Sequence, residues 1–430
     1  MSDVPIASRR PYWDNPAFKW IALAMAAMLY MVFKSPYVGF NDSLSFLLEA
    51  SQGFSPYTNA TSHFLYNNVL HILLEVFFFL PPIPVLTVFS IMCSVAALVR
   101  MYQICKLIVG PFPTAMVPPM FLALSFTFWQ QSEIIEVYAF NNLVFLSFLY
   151  FALKDLVRHK SGHALQTGIL LGLATLVHIQ NILALPFFIY YLIQIGRSSP
   201  AKALLSGLSW AALFFVLFLP PLIADTNSIS SIFFDKFEGE VMGFDMAAMG
   251  RGMLLAMAFI MYNFHMFFLF IVHGWIMMWK QRRTLFWQLS LLFMPYFLFG
   301  VKYGVADNHV FFLIPYLILV IPSIFSLNRL INFLMPKMSW MIPMMVMMPI
   351  MMYMGATMMG KGMDMLAEYR EEKAYKGGVK HLLWPGQMGA KDPLALAKEV
   401  RANGGLMPNG EAPEWNYPAA VAYLDLIEKD

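Results

Sequence analysis

Apolar residues recur along this chain in runs of about twenty, the length that carries a helix across the hydrocarbon core of a bilayer. Runs of that kind lie at 18–33, 85–107, 112–130, 135–153, 164–178, 181–195, 203–223, 252–275, 284–304, 309–327 and 338–357. They predict an all-α polytopic membrane protein with about eleven transmembrane helices. A further apolar stretch, 64–79, carries Asn67, His71 and Glu75 at four-residue spacing, on one helical face. That stripe predicts an amphipathic helix lying in the interface, within the first outer loop, rather than one crossing lipid.

The segments between the runs carry the charge, and its distribution orients the bundle. With 64–79 in the interface, fifteen Lys and Arg between Arg9 and Lys337 fall on one side of the membrane. Four, Lys34, Lys236, Arg251 and Lys302, fall on the other. The richer side is cytoplasmic by the positive-inside rule. A crossing at 64–79 would invert everything after it and erase the asymmetry. The first run follows Arg9, Arg10 and Lys19 and has no small-residue cleavage site behind it, so it reads as an uncleaved span. The chain divides into a membrane domain, 1–357, and a small polar tail, 358–430, external by parity. In the tail Pro393 opens one short helix, closed by Gly404, and Pro418 opens another.

Composition narrows the class. Only 12% of residues are charged and 59% are hydrophobic, against about 25% charged in ordinary globular chains. A soluble enzyme, a disordered scaffold and a nucleic-acid binder are excluded. Cys93 and Cys105 share one apolar run, and about 18 Å of helix between them is too far for a disulfide. They read as apolar filler.

Ionisable groups at membrane depth are costly and tend to be functional. Asp42, in Gly39-Phe40-Asn41-Asp42-Ser43 just past the first span, reads equally as a helix cap or solvated acid and as a reactive carboxylate. Glu133 and Glu136 stand a turn apart at the head of the fourth span, among Phe128, Trp129, Ile134 and Ile135. Acids favour a helix's first turn through its dipole, yet the apolar setting points at least one of them at a polar cavity. His178 joins the fifth and sixth spans beside Gln180 and Asn181; Asp307, Asn308 and His309 close the ninth; Arg251 and Lys302 are outer basics free to snorkel. A lone histidine packs more often than it reacts, so no one of these is specific. Together they bring acids, histidines and amides from four connections to one surface, the outer one. The opposite connections offer basic residues and no P-loop, so a nucleotide-fed inner site is disfavoured and the donor must come from lipid or the external medium.

Several of these clusters have a familiar order. Asn41-Asp42-Ser43, then His63-Phe64-Leu65-Tyr66, Phe128-Trp129 with Glu136-Val137-Tyr138 and Asn141, Gly168 to His178, and Asp307 to Pro315 span roughly residues 15–325. In order and spacing they resemble the membrane-embedded GT-C glycosyltransferases, nearest the protein O-mannosyltransferase-like branch long catalogued as a domain of unknown function. The resemblance implies a GT-C-like fold. It implies a hexosyltransferase, mannose being one candidate sugar, that moves the sugar from a polyprenyl-phosphate donor to an acceptor hydroxyl on protein or glycan. The reaction would take place on the external face of a plasma membrane, such as the bacterial inner membrane. Asp42 would be the base, with Glu136, Tyr138, His63, His178, Arg251, Asp307 and His309 as substrate-binding residues. Two departures stand out. His63-Phe64-Leu65 replaces the His-Pro-Pro of many relatives, and Asn41-Asp42 stands where paired acids would. A divalent metal is therefore not supported, and no cofactor is assigned. The last span and the tail lie beyond the resemblance.

A transporter or flippase of lipid-linked sugars is the rival from another class. It would hold polar residues near the midplane on broken helices. Pro118-Pro119 and Pro220-Pro221 are candidate breaks, but charge within the spans is nearly confined to Arg100, toward an inner end. Met358, Met359, Met363 and Met365 raise copper handling, since thioethers suit Cu(I), although methionine is also ordinary apolar filler.

Overall fold

A computed structural model describes residues 16–55, 63–110, 114–219, 246–303, 308–334, 341–387 and 391–428. Within them the chain is helical throughout, with no strand. Six helices are long and apolar enough to cross a membrane, and a bent pair would make a seventh. The expected count of eleven is not reached among the described residues, because several apolar runs are broken or short rather than single crossing helices.

The breaks have local causes. The run at 112–130 becomes a single-turn helix, Thr114–Met116, then α5, Val117–Ala123, and α6, Phe126–Ser132. Pro118 and Pro119 fit the first turn of α5, where their missing N–H groups are not needed. Ser125 then goes extended and turns its hydroxyl back to the Leu122 carbonyl, 2.8 Å being the ordinary O–H···O length and 2.7 Å the one found. The run at 252–275 splits into Met246–Phe264 and Phe267–Gln281 at His265, whose φ of 47° is left-handed. The run at 309–327 bends by 44° between Asn308–Val320 and Ser323–Leu330, where Pro322 cannot donate to the ladder. Pro220-Pro221 lies outside the described residues.

The bundle is built on α4 (Pro82–Val109), α7 (Val137–Arg158), α8 (Ala164–Val177) and α10 (Pro200–Phe215). Helices in lipid gain little from hydrophobic exclusion, so close backbone approach at small residues does much of the joining. Gly168 supplies it here: a Cβ at that position would sit 2.1 Å from the Ser206 carbonyl oxygen of α10. Asn181 supplies polar glue. Its amide donates to Asn141 Oδ1 at 2.6 Å and to the Ala174 carbonyl at 2.8 Å, and its oxygen accepts from the Tyr296 hydroxyl at 3.0 Å. One expected result follows. Gly168→Leu should prevent α8 and α10 from closing, lowering the melting temperature of the detergent-purified protein, because the obstructing atom is backbone and overpacking costs about 1–3 kcal/mol or more. Gly207→Ala, whose new methyl meets only Leu192 at 3.6 Å, should melt like wild type; equal behaviour of the two variants would show that the α8–α10 crossing is not close-packed.

The first loop is a pair of short helices, α2 (Ser43–Gln52) and α3 (Phe64–Val76). At 13 residues α3 is about 20 Å long and too short to cross, in keeping with an interfacial position. Its polar stripe has a different use from the one expected. Instead of facing headgroups, Asn67 donates to Glu49 of α2 and His71 Nδ1 to the Ala50 carbonyl at 3.0 Å; only Glu75 of the three is exposed. The stripe fixes α2, the helix that begins at Asp42.

The tail is not a loose appendage. After the last long helix, Met341–Lys361, the chain folds back over the end of the bundle where α1 (Pro16–Phe33) ends and α2 begins. Trp384 packs on Phe33 and Trp129 with ring centroids 5.4 and 5.5 Å away. Phe40 is held between Tyr375 and Trp415 at 5.1 and 5.3 Å. Asn416 donates to Ser45 Oγ at 2.6 Å. At the far end of α7, about 33 Å away along its 22 residues, buried Asp155 binds His163 Nδ1 at 2.7 Å and the Tyr191 hydroxyl at 3.1 Å.

Candidate functional site

The end of the bundle covered by the tail encloses a cavity of ≈ 690 Å³. Five parts of the fold meet on it. The turn after α1 contributes Asn41, the head of α6–α7 contributes Gln130, Gln131, Glu136 and Tyr138, and Met246–Phe264 contributes Phe259, Tyr262 and Asn263. His309 enters from the bent pair, and Tyr369, Lys376, His381 and Gln387 from the tail. Aromatic faces interleaved with amides suit a sugar ring, whose C–H faces stack and whose hydroxyls both donate and accept.

Local geometry explains how each group is presented. Glu136 is the residue before α7, extended at φ −141°, and makes no side-chain capping bond to that helix. His309 is fixed by donating from Nε2 to Gln130 Oε1 at 3.0 Å. Glu133, the other acid at this head, is not on the wall. It is buried, takes the Trp129 indole N–H on one oxygen and the Gln387 backbone N–H at 3.2 Å on the other. Burial raises its carboxyl well above the ordinary range, against these two hydrogen bonds and the Lys34 charge. Glu133 thus ties the tail to the head of α7.

The residues expected at the site separate into three groups. Glu136, Tyr138 and His309 lie on the cavity wall. His63 and His178 form a ring pair 4.8 Å apart, and His178 lies 5.8 Å from the Tyr138 ring, so they stand behind the wall and back it. His63 donates from Nδ1 to the Val177 carbonyl at 3.2 Å, and burial lowers its pKa to about 4, which leaves it neutral near pH 7. Asp42 is exposed at the start of α2, next to the wall residue Asn41, and makes no side-chain capping bond. It lies near enough to raise the Glu49 carboxyl, which is raised mainly by burial. Arg251 is exposed in the first turns of Met246–Phe264 and off the wall, and Asp307 lies outside the described residues.

Sequence reasoning missed every tail residue on the wall. Trp384-Pro385-Gly386 in an otherwise polar segment was the available signal, since a buried-type aromatic there needs a partner. It also passed over Gln130, Gln131 and Asn263, as lone amides in apolar runs carry no distinctive pattern. A metal does not fit this wall: Glu136 is its one carboxylate, and among the described residues no group of three His, Cys, Asp or Glu side chains could hold an ion.

Comparison with known proteins bears on the class. Residues 63–201 match the family model described as protein O-mannosyl-transferase TMEM260 N-terminal domain. No curated protein matches in sequence. The fold is similar to that of the oligosaccharyltransferase of Archaeoglobus fulgidus. The apo form superposes with a TM-score of 0.54 at 11% identity, over 93% of this chain and 59% of that one. The complex with Zn and sulfate gives 0.52 at 13% identity, over 89% and 55%. The oligosaccharyltransferase AglB in complex with an inhibitory peptide and a dolichol-phosphate gives 0.50 at 12% identity, over 88% and 61%. This chain therefore spans less than two thirds of the length of those structures. Its fold is GT-C-like, as in those structures. Over 63–201 its sequence is similar to the protein O-mannosyl-transferase family model.

Proposed function

We propose that this protein is an integral membrane glycosyltransferase that moves a hexose from a polyprenyl-phosphate donor to an acceptor hydroxyl on a protein or glycan. The observation that carries the reading is the cavity itself: aromatic and amide walls, a carboxylate and a cation, at one end of a membrane bundle. One wall belongs to Met246–Phe264, whose other face exposes Leu254, Met257 and Met261. A donor can then keep its isoprenoid chain in lipid beside that helix while its sugar and phosphate occupy the cavity. Glu136 and the neighbouring amides hold the sugar hydroxyls. Asp42, at the exposed rim, takes the proton of the incoming hydroxyl as its oxygen bonds the anomeric carbon. The bond from that carbon to the phosphate oxygen breaks, and polyprenyl phosphate leaves. The basic residues Arg100, Lys154 and Arg158 lie toward the opposite end, which supports an outward-facing site.

Incubation of the purified protein with a panel of polyprenyl-phosphate sugars should release free polyprenyl phosphate from at least one of them. The flippase reading expects the reverse: no donor cleaved, but lipid-linked sugar moved between leaflets of reconstituted vesicles. The cavity lies among the turn after α1, the head of α7 and the tail, at an end of α1 and α7 rather than midway along them, which favours transfer.

A further inference from the structure

Among the described residues, the one Lys or Arg on the cavity wall comes from the tail. Lys376 lies on the wall, half-buried. Its neighbour Lys373 is paired with Glu414, but among the described residues no carboxylate stands within ion-pair distance of Lys376. The backbone is shaped to present it. Gly377 and Gly378 follow at φ of 111° and 57°, a double left-handed turn open to glycine at little cost. The turn is closed by hydrogen bonds from the Gly377 N–H to the Ala374 carbonyl and from the Gly378 N–H to the Lys373 carbonyl. The segment is pinned on both sides, by Tyr375 against Phe40 and by the Tyr262 hydroxyl donating to the Leu383 carbonyl at 2.8 Å.

We propose that Lys376, carried by the tail, binds the phosphate of the lipid-linked donor across the cavity from Glu136. The site is thus completed by the segment that lies beyond the sequence resemblance. A half-buried ammonium with no carboxylate partner lacks an anion, and a departing phosphate gains negative charge as its bond to the sugar breaks, so the same contact serves binding and departure. Burial, with the charge of Lys373 as a second cause, lowers the pKa of Lys376 from its ordinary value, while Glu414 opposes this; a bound phosphate would act in the same direction as Glu414. The assignment rests on the proposed transferase reading and deepens it.

The test is binding rather than turnover. Full-length protein in nanodiscs would be titrated with farnesyl phosphate, with farnesol as the uncharged arm and phosphatidylglycerol and inorganic phosphate as competitors. Lys376→Met should weaken farnesyl phosphate about ten- to hundredfold and leave farnesol unchanged, while Lys376→Arg keeps most of the affinity. Competition by farnesyl phosphate analogues but not by phosphatidylglycerol identifies the donor phosphate rather than a bulk headgroup. Unaltered affinity in Lys376→Met, in a protein that melts like wild type, would overturn the assignment and leave the transferase reading standing. Displacement by phosphatidylglycerol at equal concentration would also overturn it, in favour of a structural lipid. Failure of the wild-type protein to bind any polyprenyl phosphate would sink the transferase reading and this assignment with it.

Discussion

Asp42→Asn should lower sugar transfer by about a hundred- to ten-thousandfold, the usual contribution of a general base, while membrane insertion and donor binding persist. Asn keeps the shape and most of the hydrogen bonding of Asp but cannot accept a proton. The side chain is exposed and makes no capping bond to α2. Were Asp42 a cap in solution, Asn would serve α2 about as well and activity would survive. Glu136→Gln is the companion measurement. Glu136 lies on the wall itself, and a residue that orients sugar hydroxyls should lose less turnover than the base, because the amide still donates and accepts. The two carboxylates thus give opposite signatures. Near-normal turnover in Asp42→Asn together with a dead Glu136→Gln would move the base from the rim to the wall.

The membrane class and part of the candidate site were legible because both write strong local signals. Apolar runs longer than a dozen residues have few other uses, and Glu136, Tyr138 and His309 stood out as polar groups at span ends that now lie on one cavity. The span count was less legible. A run that reads as continuous at 112–130 folds as three pieces, because Pro118-Pro119 and extended Ser125 interrupt the hydrogen-bond ladder without interrupting the hydropathy. His265 is a sharper case: nothing in Asn263-Phe264-His265-Met266 announces a left-handed residue. The polar stripe on α3 was read correctly as a stripe, but its partner was another helix rather than water, which depends on the contact with α2. The substrate-binding roles expected of Arg251 and His178 illustrate the same limit. Arg251 is exposed and off the cavity wall, and His178 backs Tyr138. Lys376 is separated from Glu136 by more than half of the chain, and only the folded tail brings the two to one cavity.

That long-range closure makes Trp384 the structural residue whose loss should be felt most at the site. Its side chain is 7% exposed and packs between Phe33 at the end of α1 and Trp129 in α6. Both neighbours belong to the membrane domain, so this ring is a main apolar attachment of the tail beside the cavity. Truncating a buried Trp to Ala costs about 3–5 kcal/mol. Three residues along the chain, the Gln387 N–H bond to Glu133 depends on the same docking. Trp384→Ala should therefore free the segment around Lys376 and Gln387 from the wall, lowering transfer by two orders of magnitude or so, since about 1.4 kcal/mol corresponds to tenfold. Limited proteolysis in the 377–387 region should quicken, while the bundle stays inserted and its own melting transition is retained. Trp384→Phe fills most of the same space and should keep both docking and activity near wild type. Trp415, which grips Phe40 from the other side at 5.3 Å, provides the comparison. Trp415→Ala should loosen the terminal helix Tyr417–Ile427 from α2 but leave the cavity wall in place, with a smaller loss of transfer. If Trp384→Ala transfers sugar at the wild-type rate and is no more sensitive to protease, the tail is an attachment without a part in the site, and the membrane domain must supply the phosphate contact alone.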